Sequence, residues 1–314
     1  MVKVYIDGQE GTTGLKILDR FNGRTDIELI RIDSDKRKDA AERKRLINES
    51  DFTFLCLPDA AAIEAVSLAE NPNVRIIDAS TAHRTNPAWH YGLPELSPKQ
   101  REGIATSKRV AVPGCFPSGF VSLMAPLIND GILQPHYPVF TYALTGYSGG
   151  GNQRIAQYED ERRARELESP MIYGLAQNHK HIPEMLAFSG LAYRPMFTPV
   201  IADFYSGMTV VVPIQARLLH KKASIKEFWE VLRAHYQNSP FISVKNFIPN
   251  EEQTNVLLPS NYLRGTNKMD IYVFGSNEQI LLCACLDNLG KGASGAAVQC
   301  LNIMMGIDET TGLL

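Results

Sequence analysis

Val2-Lys3-Val4-Tyr5-Ile6-Asp7-Gly8-Gln9-Glu10-Gly11-Thr12-Thr13-Gly14 opens the chain and decides its fold class. Apolar residues alternate through Val2, Val4 and Ile6, which predicts a strand; the next segment carries Leu15, Leu18 and Phe21 at helical spacing. Between them the glycines permit a tight turn that delivers the chain to a helix N-terminus. There, unpaired N–H groups and the helix dipole suit a pyrophosphate. Gly8-x-x-Gly11-x-x-Gly14 is not the commoner Gly-x-Gly-x-x-Gly, and taken alone it equally describes a turn built for packing. Its surroundings carry the nucleotide reading: strand-like runs follow at residues 27–32, 52–57 and 74–77, with helical segments between them. The expected fold class is α/β, with a Rossmann-type dinucleotide-binding domain first.

At 314 residues the chain exceeds what one core usually holds, and 44% hydrophobic content with a net charge of −2 is that of a globular protein. No basic excess points to nucleic acid, and no apolar run approaches a membrane span. The chain enters its first strand without a charged and apolar leader. The five cysteines, 56, 115, 283, 285 and 300, are odd in number, which fits a reducing compartment. A cytoplasmic protein with neither a nucleic-acid nor a membrane partner is therefore expected. Cys283-Ala284-Cys285 places two thiols on one face of a strand without a second ligand pair, so no metal site is expected; Cys56 and Cys300 read as core.

Beyond residue 114 the pattern changes. Residues 139–144, 209–218, 242–247, 270–274 and 279–286 read as strands, 224–237 as an amphipathic helix, and 152–168 as a solvated helix face. This predicts a second, α+β domain. Residues 293–305 are apolar almost all round and are expected to form a buried helix that returns to the first domain. The predicted division is 1–114, completed by 290–314, and 115–289.

Pro113-Gly114-Cys115-Phe116-Pro117-Ser118-Gly119 sets one cysteine between the short strand Val110-Ala111-Val112 and a helix whose apolar positions are Phe120, Val121, Met124, Leu127 and Ile128. Pro117 suits a first helical position. A cysteine there meets the positive end of a helix dipole, which favours the thiolate. The alternative is a small buried hydrophobe. His179 and His181 flank Lys180 and would share a face in an extended segment but diverge in a helix. Either can carry a proton near neutrality.

Four runs together resemble N-acetyl-gamma-glutamyl-phosphate reductases, in their shorter form: Val-Pro-Gly-Cys-Phe-Pro-Ser-Gly around Cys115, Gly146-Tyr147-Ser148-Gly149-Gly150-Gly151, Asn178-His179-Lys180-His181-Ile182-Pro183-Glu184, and Leu286-Asp287-Asn288-Leu289-Gly290-Lys291-Gly292-Ala293-Ser294-Gly295. That family is related to aspartate-semialdehyde dehydrogenases. The resemblance implies an NADP-binding domain followed by a catalytic and dimerisation domain of the semialdehyde dehydrogenase type, in a homo-oligomer, dimer or tetramer. It also implies the arginine-biosynthetic reduction of an acyl phosphate, N-acetyl-L-glutamyl 5-phosphate, to the 5-semialdehyde with release of inorganic phosphate, through a cysteine thioester and with NADPH as donor.

The site residues follow from the same resemblance. Cys115 is the expected nucleophile and His179 or His181 the acid and base, with His179 slightly favoured because Ile182-Pro183 constrains the chain beside His181. Arg84, Ser148, Tyr173 and Glu184 are expected at the substrate. Gly8, Gly11, Thr12, Thr13, Gly14, Leu57, Pro58, Ser80, Asn288 and Gly292 are expected at the cofactor. Asp33, at the end of the second strand, is where an acid would bind the ribose of NAD. Arg31, Ser34, Lys36 and Arg37 crowd the same place, and the resemblance favours Ser34 and Arg37 as the NADP phosphate site. The remaining histidines, including His83, show no comparable setting. An aspartyl phosphate reductase and a non-catalytic NADP-binding regulator are the competing assignments.

Overall fold

The computed structural model describes residues 1–314. The chain divides into two compact units, Met1–Gly114 with Ala293–Leu314, and Cys115–Gly292.

The first unit runs β1 (Val2–Asp7), α1 (Thr12–Phe21), β2 (Ile27–Ile30), α2 (Ala40–Glu49), β3 (Phe52–Leu55), α3 (Asp59–Ser67), β4 (Arg75–Asp78), β5 (His90–Tyr91), α4 (Pro98–Thr106) and β6 (Arg109–Ala111). Its six strands lie in the order β2-β1-β3-β4-β6-β5, every neighbouring pair parallel. That order reverses between β1 and β3, the crevice where doubly wound sheets hold dinucleotides. Against expectation, the apolar stripe of α1 is Gly14, Ile17 and Phe21, while Leu15 is exposed. The 3.6-residue repeat sets this stripe, and Leu15 lies off it. Strand β2 ends at Ile30; Ile32 has left the sheet and joins a core with Tyr5, Leu46, Ile47 and Ala62.

The second unit opens on α5 (Cys115–Asp130) and continues through β7 (Phe140–Gly146), α6 (Gly151–Glu159), β8 (Met171–Ile172), α7 (Ile182–Ser189), β9 (Met196–Ala202), β10 (Met208–Gln215), α8 (Ile225–Tyr236), β11 (Ile242–Val244), β12 (Met269–Gly275) and β13 (Gln279–Leu286). Seven strands form a mixed sheet, β11-β12-β13-β10-β7-β9-β8. The strand expected over 209–218 stops at Gln215, where its pairing with β13 runs out against Gln279, and a 3-10 turn follows. The expected 242–247 strand keeps only Ile242–Val244 beside β12. The helix face expected over 152–168 breaks after Glu159 and resumes as a 3-10 turn at Arg165–Glu168.

Helix α5 is buried from Phe116 to Ile128 and forms the centre of this unit. Gly119 lets it close on the sheet, because a Cβ there would stand 2.8 Å from Val210 Cγ2 and 3.4 Å from the Ala284 Cβ. Pro126 lies inside α5 and brings no N–H to the carbonyl of Ser122, four residues back. The Tyr236 hydroxyl of α8 donates to that carbonyl at 2.8 Å, so the buried acceptor is satisfied from another helix. Val210 and Ala284 face α5, and strand alternation turns their neighbours Val211, Cys283 and Cys285 to the opposite face. Cys283 and Cys285 do share a buried face, as expected, but not the one that holds α5.

Helix α9 (Gly295–Met305) returns to the first unit and is buried from Gly295 to Met304. Arg24 donates to Asn302 Oδ1 at 3.0 Å, and Arg75 donates to the carbonyl of Met304. No helix is long and apolar enough to cross a membrane.

Candidate active site

In the first unit the glycines are required by contact as well as by conformation. Gly8 has φ +87, and a Cβ on it would lie 2.4 Å from the Cys56 carbonyl oxygen; one on Gly14 would lie 2.5 Å from the Gly8 oxygen. Gly11 is the N-cap of α1 and makes no side-chain cap bond, and Thr12 and Thr13 are the first two residues of the helix. This is a cradle for an anion. Leu57 and Pro58 follow β3, with Pro58 as the N-cap of α3. Asp33, Ser34 and Arg37 are exposed in the loop after β2, where Arg37 forms an ion pair with Glu10 of the glycine turn.

Asp7, at the carboxyl end of β1, was not anticipated. It is buried and ion-paired to Arg43 at 3.0 Å, and burial, ahead of the opposing Arg43 bonds, raises its pKa. The pair anchors α2 behind the glycine turn. Ser80 spends its hydroxyl on Asp78 Oδ2 at 2.7 Å. Arg84, expected at the substrate, is buried, and its Nε and Nη2 donate to the carbonyls of Val112 (2.9 Å) and Ala79 (3.1 Å). These bonds make it a brace between the turn after β4 and the end of β6. Helical spacing cannot reveal such a brace, because its acceptors are main-chain atoms.

In the second unit Cys115 is the first residue of α5 and is partly exposed, whereas Cys283, Cys285 and Cys300 are buried. Pro117 is accordingly the third helical residue, not the first. Its missing N–H still costs nothing, since the first four N–H groups of a helix have no intrahelical acceptor. Gly292 packs directly on the nucleophile: a Cβ there would lie 2.7 Å from Cys115 Cβ and 3.1 Å from its Cα. Gly292 and Asn288 therefore belong to the second unit, with Cys115 and Ser148, whereas the glycine turn belongs to the first. Asn288 joins two chain segments, donating to Ser148 Oγ at 3.1 Å while its Oδ1 accepts from Gly207 N at 2.8 Å.

Phe116 carries the histidines to the nucleophile. Its ring lies 5.9 Å from His179, 5.7 Å from His181 and 5.0 Å from Phe197, and the two imidazoles are 4.8 Å apart, edge to face. The rings come together although His181 is the N-cap of α7, because the chain turns at residues 179–181 and is not extended there. Gln177 holds the turn with two bonds to Phe197, donating to its carbonyl at 2.9 Å and accepting from its amide at 3.0 Å, at φ +53. A non-glycine residue in that region is uncommon and marks a constrained segment. Tyr173 packs on His179 at 5.7 Å; burial, followed by the charge of a Cys115 thiolate, raises its phenol pKa. Glu184 is buried in the first turn of α7. Burial, assisted by Lys180, lowers His179 to about 4. Phe116, Gln177 and Phe197 went unanticipated because their contribution is packing and turn geometry; only the glutamine three residues beyond Gly174 could have hinted at it.

A parallel nucleotide-type sheet in one unit, and a mixed sheet whose central helix opens on a cysteine in the other, define a class. Residues 3–104 match the family described as semialdehyde dehydrogenase, NAD binding domain, and residues 115–288 match semialdehyde dehydrogenase, dimerisation domain. Aspartate semialdehyde dehydrogenase II from Vibrio cholerae shares this fold with a TM-score of 0.74 at 13% identity, covering 98% of this chain and 99% of that one. Sequence likeness is closer to other members. The chain is 46% identical to N-acetyl-gamma-glutamyl-phosphate reductase 2 of Nostoc sp. over 99% of both proteins, and 45% identical to N-acetyl-gamma-glutamyl-phosphate reductase of Burkholderia ambifaria over 97% of this chain and 96% of that protein. The chain belongs to the N-acetyl-gamma-glutamyl-phosphate reductase family.

Proposed function

We propose that this protein reduces N-acetyl-L-glutamyl 5-phosphate to N-acetyl-L-glutamate 5-semialdehyde with release of phosphate, using NADPH, as a step of arginine biosynthesis in the cytoplasm. The observation that carries the chemistry is Cys115 at the start of α5, with two histidines packed on the adjoining Phe116. The names of the relatives support the substrate, and the glycine cradle fits a dinucleotide phosphate.

Cys115 Sγ attacks the acyl carbon as a thiolate, favoured by the N-terminal end of α5. The carbon–oxygen bond to phosphate breaks, phosphate departs, and a thioester remains on Cys115. When bound, the reduced dinucleotide supplies the hydride that converts the acyl carbon to the aldehyde oxidation level. First-turn amides of α5 are suited to holding the oxyanion while the carbon–sulfur bond breaks and the aldehyde leaves. His181 takes the thiol proton and returns one during collapse. His179 is assigned to orientation, since its Nδ1 already accepts from the His181 amide at 3.2 Å. Ser148, Tyr173 and Glu184 are placed at the substrate, and Ser34 with Arg37 at the NADP phosphate, Arg37 exchanging its Glu10 partner for it.

The working form is a homo-oligomer in this reading. The sheet face remote from α5 presents Phe140, 40% exposed, and its register partner Met196, 61% exposed, and a second copy of the chain would cover them. The test of activity is phosphate-dependent reduction of NADP+ with N-acetylglutamate semialdehyde, alongside aspartate semialdehyde. Turnover of the first supports the assignment; turnover of the second alone would transfer the chain to the other substrate.

A further inference from the structure

His83 lies in the turn after β4, beside Arg84, and its ring is held from two sides. Nδ1 bonds the carboxylate of Asp78 at 2.6 Å, and Asp78 is fully buried at the end of its strand. The same carboxylate accepts from Ser80 N at 2.8 Å and Ser80 Oγ at 2.7 Å. Serine and histidine thus share one acid, an arrangement that fixes the turn and does not activate the serine. Trp89 stacks on the imidazole at 4.2 Å, with 15° between the rings, and packs in turn on the cluster holding Ala62 and Ala65 of α3. His83 is 7% exposed, and no protein group bonds its Nε2.

Asp78 accepts the Nδ1 proton, so that when the ring carries no second proton Nε2 is a lone-pair acceptor in a fixed position. Nε2 is the edge of the ring that stays within reach of a ligand donor, whereas Nδ1 is committed to Asp78. Strand order says which ligand half lies nearby. Adenosine belongs beside the end of β2 and pyrophosphate at the turn after β1, so the other half of a dinucleotide extends toward β3 and β4. We propose that His83 is a cofactor-binding residue whose Nε2 accepts a hydrogen bond from the nicotinamide–ribose half of NADP(H), with Asp78 and Trp89 as its positioning residues. This rests on the dinucleotide reading given above.

The test compares NADP+ with adenosine 2′,5′-bisphosphate, which lacks that half, by calorimetric titration of the full-length protein. His83→Asn keeps an amide donor near Nδ1 for Asp78 and deletes Nε2, whereas His83→Gln can place an amide oxygen near Nε2. His83→Asn is expected to weaken NADP+ by about three- to tenfold, the range of one lost neutral hydrogen bond. It should leave the bisphosphate affinity unchanged, and His83→Gln should recover part of the loss. Unchanged NADP+ affinity in His83→Asn, or an equal loss for both ligands, would overturn the assignment. A parent protein that binds neither ligand would instead overturn the dinucleotide reading on which it rests.

Discussion

The backbone amide of His181 donates to Nδ1 of His179 at 3.2 Å. This bond fills the lone pair that a general base would need, and it leaves the neutral His179 with its proton on Nε2. The proposed mechanism accordingly gives the proton transfer to His181, where residue order alone slightly favoured His179. His181→Asn should reduce kcat by about a hundredfold or more, the usual contribution of a positioned acid or base, and abolish the neutral-pH limb of Cys115 alkylation. His179→Asn should act mainly on KM. Equal alkylation profiles in His181→Asn and the parent would contradict this division.

Acid should destabilise the fold partly through His179. Burial, ahead of the Lys180 charge, depresses its pKa to about 4, against about 6.5 for an unperturbed histidine. Folding favours the neutral ring, so this contribution is intact above the unfolded value and is lost as pH falls from there to about 4. Urea unfolding of the parent and His179→Asn measures it. The parent's stability relative to the variant should decline through that window, and a constant difference would remove His179 from the acid response.

Selection of NADPH over NADH is assigned to the loop after β2. Ser34→Ala with Arg37→Ala should weaken NADPH binding by about tenfold or more, since charged hydrogen bonds to phosphate are the stronger kind, while NADH changes little. Fluorescence titration with both nucleotides checks this. An equal effect on both would move the phosphate site elsewhere.

Tyr236→Phe isolates the compensation for Pro126. The variant keeps the ring, and the Ser122 carbonyl loses the donor that reaches it at 2.8 Å. Stability should fall by about 1–3 kcal/mol, the cost of an unsatisfied buried acceptor. Denaturant unfolding gives the value, and a change within error would mean that the carbonyl finds another donor.

Much of this was legible in residue order. The strand at residues 279–286 was read with its observed bounds, because its apolar run ends abruptly on both sides, and the helix read over 224–237 stands at Ile225–Tyr236, its start fixed by a capping box between Ser224 and Glu227. The α1 stripe was misread at Leu15 because two leucines outweighed Gly14, whose value is closeness and not hydrophobicity. His83 looked unremarkable since its acid is five residues earlier in a strand, and only the turn folds one onto the other. The roles proposed for His179 and His181 rest on a main-chain amide, a group every residue but proline carries, so no side-chain pattern could separate them.

The thioester on Cys115 is the claim on which the account stands. Parent protein mixed with N-acetylglutamyl phosphate in the absence of NADPH, quenched in acid and digested for mass spectrometry, reports it directly. The account predicts a burst of about one phosphate per active site and an acyl group on the peptide containing Cys115, with neither in Cys115→Ala. A burst without acylation of Cys115, or sustained reduction by Cys115→Ala, would contradict it.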